Sequence, residues 1–161
     1  MSETRNDEDY RPGVGIVLFH QNRKDVLVAK RLDMRYDAWQ MPQGGIDPGE
    51  DPVETAFREL EEEIGTANAE LVAESNDWLY YDLPTELQKK MWKGRFKGQR
   101  QKWFAMVFRG EDSEINLETE HPEFLDWKWT PFPTIVDLIV DFKVPLYQQV
   151  LDEFSTLTRQ G

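Results

Sequence analysis

The run from Gly44 to Thr66 constrains the fold more than any other part of the chain, because it joins a glycine loop to a helix loaded with carboxylates: Gly44-Gly-Ile-Asp-Pro-Gly-Glu50-Asp-Pro-Val-Glu-Thr-Ala-Phe-Arg58-Glu59-Leu-Glu-Glu62-Glu63-Ile-Gly65-Thr66. Both ends of the helix are marked. Asp51 is the N-cap, Pro52 follows where its missing N–H costs nothing, and Glu54 stands three residues after Asp51 as in a capping box. Gly65 supplies the left-handed residue that closes a helix. Val53, Ala56, Phe57, Leu60 and Ile64 recur at intervals of three and four, which predicts a face packed on a core. Glu59, Glu62 and Glu63 fall on another face, where residues three and four apart are neighbours. Like charges at that spacing repel by roughly 0.2–0.5 kcal/mol per pair in an isolated helix, and a divalent cation reverses the sign. Hard oxygen ligands suit Mg²⁺ or Mn²⁺, so the segment reads as a divalent-metal site for polyphosphate chemistry. Arg58 faces Glu62 at i+4 and is in reach of Glu50, a pairing that orients the ligands rather than touching substrate. A solvated acidic helix is the plainer reading of the bare Glu61-Glu62-Glu63 run. The length of the whole loop-and-helix pattern argues against it.

At 161 residues the chain suits one domain with a real core. Residues 1–9 are read as a short disordered acidic tail, with no apolar segment that would make a signal peptide, and residues 10–161 as the domain. No apolar run approaches a membrane span, so no membrane partner is expected. The absence of cysteine excludes disulfides and thiol chemistry and fits a cytoplasmic location. The net charge of −12 disfavours non-specific coating of nucleic acid, and no DNA partner is expected. It leaves room for an enzyme that grips one phosphorylated end, since bound cations cancel charge locally.

Residues 14–19 predict a buried strand, and the Asn22-Arg-Lys-Asp25 turn folds residues 26–31 back on it as a hairpin. Trp39-Gln-Met-Pro-Gln43 leads into the glycine loop. Beyond the helix, residues 69–73, 78–83, 101–108 and 124–129 predict strands, the second ended by Pro84. From residue 134 the period is helical, and Pro145 divides the stretch into helices over 134–141 and 144–158. Strands, helix, strands and C-terminal helices, in that order, fit a mixed sheet with helices on both sides.

The run from Gly44 to Thr66 resembles the Nudix box, G-x5-E-x7-R-E-U-x-E-E-x-G-U with U bulky aliphatic. Gly44, Glu50, Arg58, Glu59, Glu62, Glu63 and Gly65 stand at the fixed positions and Leu60 at the first U, while Thr66 at the last is a mild departure that touches packing. Further out, Tyr10-Arg11-Pro12-Gly-Val-Gly-Ile-Val17, Trp39-Gln-Met-Pro-Gln-Gly-Gly45, Gly98-Gln-Arg-Gln-Lys-Trp-Phe104 and Pro122-Glu-Phe-Leu-Asp-Trp-Lys-Trp129 are similar to the bacterial RNA pyrophosphohydrolase branch, close to the dinucleoside polyphosphate hydrolases. Nearly everything from Tyr10 to about Phe154 fits. The resemblance implies an α/β/α sandwich: a mixed β-sheet with the box helix and C-terminal helices packed around it. It implies cleavage of phosphoanhydride bonds with more than one Mg²⁺ or Mn²⁺ ion. It places metal ligands at Glu59, Glu62, Glu63 and the Gly44 carbonyl, with Glu123 as a further ligand from outside the box; the ordinary reading of Glu123 is a surface carboxylate at a strand edge. The choice for general base is Glu59, with Glu62 and Glu123 as rivals.

Substrate contacts are implied at Arg11, Arg31, Tyr81, Gln99, Phe142 and Lys143. Each has an ordinary alternative: Tyr81 and Phe142 as core, Arg31 and Lys143 as solvated charges. His20 and His121 read as surface residues. The leading expectation is an RNA pyrophosphohydrolase that converts 5′-triphosphorylated RNA ends to 5′-monophosphates by water attack on phosphorus. The rival is an asymmetrical dinucleoside polyphosphate hydrolase acting on diadenosine tetraphosphate. A non-catalytic Nudix-fold module is more remote, because all four carboxylates are present. Lys89, Lys90, Lys93, Arg95 and Lys97 form a basic cluster on an acidic chain, either a solvated segment or an RNA-backbone contact. The loop Leu32-Asp-Met-Arg-Tyr-Asp37, slightly longer than in the proteins it resembles, is placed to alter nucleotide preference.

Overall fold

Residues 6–32 and 38–159 are described in the computed structural model, with backbone only at 158 and 159. The first five residues of the expected tail, and residues 33–37 of the loop singled out for nucleotide preference, lie outside the described residues. In order, the chain forms β1 (Tyr10–Phe19), β2 (Asp25–Arg31), β3 (Trp39–Gln40), β4 (Gln43–Gly45), α1 (Pro52–Ile64), β5 (Ala69–Glu74), β6 (Leu79–Asp82), α2 (Thr85–Lys90), β7 (Gly98–Phe108), β8 (Phe124–Pro131), α3 (Ile135–Leu138) and α4 (Val144–Phe154).

One mixed sheet runs β3–β2–β1–β7–β5, with β4 paired to β1, β6 to β7 and β8 to β2. β1 and β7 lie parallel from Tyr10↔Gly98 to Phe19↔Val107, and the other pairs are antiparallel. These two strands are covered on both faces. Val14, Ile16 and Leu18 with Phe104, Met106 and Phe108 pack on Ala56, Leu60 and Ile64 of α1. Val17 and Phe19 with Trp103, Ala105 and Val107 pack on Leu146, Tyr147, Val150 and Phe154 of α4 and Ile135 of α3. Side chains alternate across a strand, so a strand buried on both faces reads as a continuous apolar run. The result is the expected α/β/α sandwich. Among the described residues, no helix is long and apolar enough to cross a membrane.

Three expectations are corrected. The β1–β2 hairpin is in register only at Phe19↔Val26. Beyond that point β4 takes the edge of β1, with Ile16 N–H donating to Pro42 C=O at 2.9 Å, and β2 turns to β3 and β8. Second, Asn6 to Asp9 are ordered where a tail is predicted. Asp7–Asp9 form a 3₁₀ turn, Tyr80 Oη donates to Asp7 Oδ1 at 2.6 Å, and Lys97 N–H donates to Asp9 C=O at 2.8 Å. Third, the helix over 134–141 shrinks to α3, because Ile139 and Val140 are extended, as suits β-branched residues. Pro145 lies in the first turn of α4, which ends at Phe154 before a 3₁₀ turn, Ser155–Arg159.

Gly15 faces Trp103 across the central pair, and a Cβ there would meet the ring at 2.3 Å. Gly15→Ala is therefore expected to destabilise the fold by about 1–3 kcal/mol through overpacking, read from the midpoint of urea unfolding. An unchanged midpoint would mean that β1 and β7 can spread to admit a methyl.

Candidate active site

The Asp51 cap and the Gly65 terminus of α1 are as the sequence implies. Asp51 accepts from Val53 N–H at 3.1 Å and Glu54 N–H at 3.2 Å, and Gly65 closes the helix at φ 81°. The loop before the helix has no regular structure of its own and is tied down by Arg58. The Arg58 guanidinium donates to Glu50 through Nε at 2.6 Å and Nη2 at 2.8 Å, to the Gly45 carbonyl at 3.2 Å, and through Nη1 to Glu59 and Glu62, both at 3.1 Å. Asp47 stands 3.6 Å from the same group. The hydrogen bonds from Arg58 hold Glu50 down at a pKa of about 2, and Glu50 in turn raises that of Arg58.

The three helix carboxylates, equivalent by spacing, are unequal in surroundings. Glu63 is 3% exposed, whereas the side chains of Glu59 and Glu62 are 14% and 56% exposed. Burial, then the charges of Glu123 and Glu59, push the Glu63 carboxyl well above its usual range. Burial, then repulsion from Glu62, push Glu59 up to about 7, against the pull of Arg58. Glu123 is exposed, and its charge reaches both Glu59 and Glu63. An open cleft of about 400 Å³ is lined by Glu59, Glu62, Glu120, His121 and Glu123. His121, given no role from sequence, thus borders it.

Two consecutive glycines explain how the strand before the helix can serve both sides. A Cβ on Gly44 would lie 2.0 Å from Cδ of Glu59, and one on Gly45 would lie 2.4 Å from Nη2 of Arg11. Neighbouring residues of a strand point to opposite faces, so Gly44 admits the acidic group on one face and Gly45 the basic group on the other.

On the Gly45 face the structure gathers most of the expected substrate residues. Arg11 lies under the Trp92 ring, 5.4 Å from its centroid. Lys143 Nζ stands 4.9 Å from the centroid of Tyr81, and Phe142 packs on the same ring at 6.1 Å. Tyr81 Oη donates to Gln99 at 3.3 Å. Arg31 is near enough to act electrostatically on Glu63, Tyr81 and Lys143. Burial, then the charge of Arg31, lower Lys143 to a pKa of about 8. Tyr81 is buried, as its ordinary reading holds, yet its hydroxyl and ring both face these groups.

Sequence reasoning missed Trp92, Gln43 and Gln101. Trp92 and Lys93 both have positive φ, 50° and 59°, in the turn after α2. That costly conformation for non-glycine residues accompanies the contact with Arg11 and has no sequence signature. Gln101 did have one. Gln99, Gln101 and Trp103 share a parity in β7, so two amides stand where the pattern calls for apolar groups.

The donor set fits a hard divalent cation. It is all oxygen, and the charges of Glu59, Glu63 and Glu123 oppose one another. Among the described residues, no three acidic or histidine side chains stand close enough together to hold an ion. Arg58 instead joins Glu59 to Glu62.

The NUDIX domain family matches residues 9–150. The RNA pyrophosphohydrolase of Rhodospirillum rubrum is 59% identical over 91% of this chain and 87% of its own length. That of Pelagibacter ubique is 48% identical over 98% of this chain and 99% of its own. Among solved structures, the E. coli dihydroneopterin triphosphate pyrophosphohydrolase superposes with a TM-score of 0.65 at 21% identity, covering 87% of this chain and 95% of that one. A C. elegans Ap4A hydrolase binary complex gives 0.63 at 19%, covering 91% and 98%. These two share the fold.

The raised Glu59 pKa sets a pH signature for the metal-free protein. The folded value, about 7, lies above the ordinary 4.5. Protonation therefore favours folding, and this contribution is full below the ordinary value and lost as pH rises through the folded one. Glu59→Gln, which mimics the neutral form, should match the parent near about pH 4 and become the more stable of the two by about pH 8, read by urea unfolding with chelator present. A stability gap that is constant across this range would contradict the assignment.

Proposed function

The chain belongs to the NUDIX domain family, and we propose that it is an RNA pyrophosphohydrolase that trims a 5′-triphosphorylated RNA end to a 5′-monophosphate. It is a Nudix pyrophosphohydrolase, acting on phosphoanhydride bonds. Members of this family generally use divalent metal ions. The observation that carries the substrate reading is the back-to-back arrangement across Gly44 and Gly45. Carboxylates suited to cations approach one face, and Arg11, suited to phosphate, approaches the other.

The residues divide the work accordingly. Glu59, Glu62, Glu63, the Gly44 carbonyl and Glu123 would hold Mg²⁺ or Mn²⁺, with more than one ion per site. When bound, such ions neutralise phosphate oxygens and lower the pKa of water. Glu59 is the choice to accept the proton of the attacking water, with Glu62 and Glu123 as rivals. The new bond joins water oxygen to phosphorus, the bridging oxygen leaves with its electron pair, and pyrophosphate or successive phosphates are released. Arg58 touches no substrate and keeps Glu50, the loop and the helix together. Arg11, Arg31 and Lys143 would bind phosphates, the two arginines through their planar forks. Gln99 would donate an amide N–H, and Tyr81 and Phe142 would give the first nucleotides a surface.

The net charge of −12 favours a second reading, hydrolysis of a small dinucleoside polyphosphate, because a long RNA is repelled away from the site. The segment after β6 offsets that repulsion. Lys89, Lys90 and Lys93 are exposed there, and Trp92 in the same segment contacts Arg11.

Steady-state assays with Mg²⁺ on 5′-triphosphorylated RNA and on diadenosine tetraphosphate should give the higher kcat/KM for RNA. Glu62→Gln should lower both by about a hundredfold or more. A higher kcat/KM for the dinucleotide would favour the second reading, and activity untouched by Glu62→Gln would remove the enzymatic role from the box.

Reversing the charge of Lys89, Lys90 and Lys93 together should raise KM for RNA and leave KM for the dinucleotide unchanged. Equal effects on both substrates, or none, would detach the basic segment from RNA binding.

A further inference from the structure

Gln43, Gln99, Gln101 and Trp103 form a hydrogen-bonded chain whose direction is set by one indole. Trp103 Nε1 donates to Gln101 Oε1 at 3.0 Å. An indole N–H can only donate, so it admits only the oxygen end of an amide. Gln101 must therefore turn its NH₂ group the other way, where Nε2 donates to Gln43 Oε1 at 2.8 Å and to Gln99 Oε1 at 2.7 Å. Both of its N–H bonds are thus used, and Gln101 is 0% exposed, so no water can substitute for a lost partner. Tyr81 Oη adds a second donor to Gln99 Oε1.

With their oxygens turned to Gln101, Gln43 and Gln99 carry their NH₂ groups away from it. Gln99 Nε2 and the Gly44 carbonyl flank the space beside Gly13, where a Cβ would meet them at 2.9 and 2.8 Å. Gln99 is also paired across the sheet with Arg11. Gln43 immediately precedes Gly44, and its backbone N–H approaches Glu63 Oε1 at 3.4 Å. Gln99 therefore borders the region to which the proposed function assigns the phosphates, and the side chain of Gln43, two residues before Gly45 in the same strand, lies on the face that Arg11 approaches.

We propose that Gln101 is a positioning residue, oriented by Trp103, that fixes the amides of Gln43 and Gln99 with their N–H groups toward a polyphosphate. The inference rests on the polyphosphate substrate proposed above. If the two amides were reversed, carbonyl oxygens would face phosphate, exchanging attraction for repulsion without any change of shape. Hydrogen bonds to charged groups are strong enough that their loss weakens binding by about tenfold to a hundredfold.

Gln101→Glu tests this. The introduced carboxylate can still accept from Trp103 but can donate nothing to Gln43 or Gln99, whose NH₂ groups then turn inward. Trp103→Phe removes the donor that sets the direction while keeping an aromatic ring in the core, and serves as the second variant should the first fail to fold. The expected result is a KM raised about tenfold or more in Gln101→Glu and by a smaller factor in Trp103→Phe, with kcat changed by less than about threefold. A KM within about twofold of the parent in both variants overturns the proposal.

An independent measurement uses ¹⁵N-labelled glutamine side chains and inorganic tripolyphosphate as the probe. The NH₂ signals of Gln43 and Gln99 should shift on addition in the parent and stay unmoved in a folded variant. Failure of these signals to shift in an enzyme that cleaves RNA overturns the proposal alone. Shifts that depend on Gln101, in a protein that cleaves neither substrate, would uphold the positioning role and remove the proposed function instead.

Discussion

The site depends first on Arg58. One guanidinium joins two carboxylates of the helix, a bidentate carboxylate from the loop and the Gly45 carbonyl at the end of β4. Together with the Asp51 cap, it ties the loop between β4 and α1 to the helix. The fork geometry matters as much as the charge, since parallel N–H bonds to Glu50 fix direction as well as distance, and a lysine would offer only a point charge. The same contact restrains the repulsion between Glu59 and Glu62. An ion that takes up those carboxylates would leave Arg58 with Glu50 and Gly45, so the loop need not come apart when the site fills.

From that anchor the remaining geometry follows. β4 presents Gly44 and Gly45 beside β1, and the missing side chains let an acid and a base approach the backbone from opposite faces. Arg11, Arg31 and Lys143 gather on a protein with net charge −12, so the positive field is local and set against an acidic whole. The carboxylates are graded by burial from Glu63 through Glu59 to Glu62. A buried carboxylate gains most from a cation because it has least water to lose, which singles out Glu63 as the deepest of the proposed ligands.

Much of this was legible in the sequence because it is local. The caps of α1, its apolar face and the reach of Arg58 to Glu62 all lie within a few residues of one another, and β1 and β7 declare themselves by apolar runs. What escaped was set by distant partners. The hairpin was misjudged because the strand that displaces β2 from β1 is only three residues long, Gln43–Gly45, and lies well downstream. Spacing could place Glu63 beside Glu59 but could not bury it, since its cover comes from other elements. Trp92 reaches Arg11 through backbone angles that no side chain announces. Gln101 was readable as a polar residue at an apolar parity, but its role needed Trp103 and Gln43 in view together.

The proposed cation site is built from the box carboxylates. The direct measurement is titration of metal-free protein with Mn²⁺, followed by electron paramagnetic resonance, for the parent, Glu59→Gln, Glu63→Gln and Glu54→Gln. Glu54 is an exposed glutamate in the first turn of the same helix. The predicted result is a loss of about tenfold or more in affinity for Glu59→Gln and Glu63→Gln, with Glu54→Gln binding as the parent does. Equal affinity in all four would mean that the ions bind diffusely to an acidic surface, and would contradict the account.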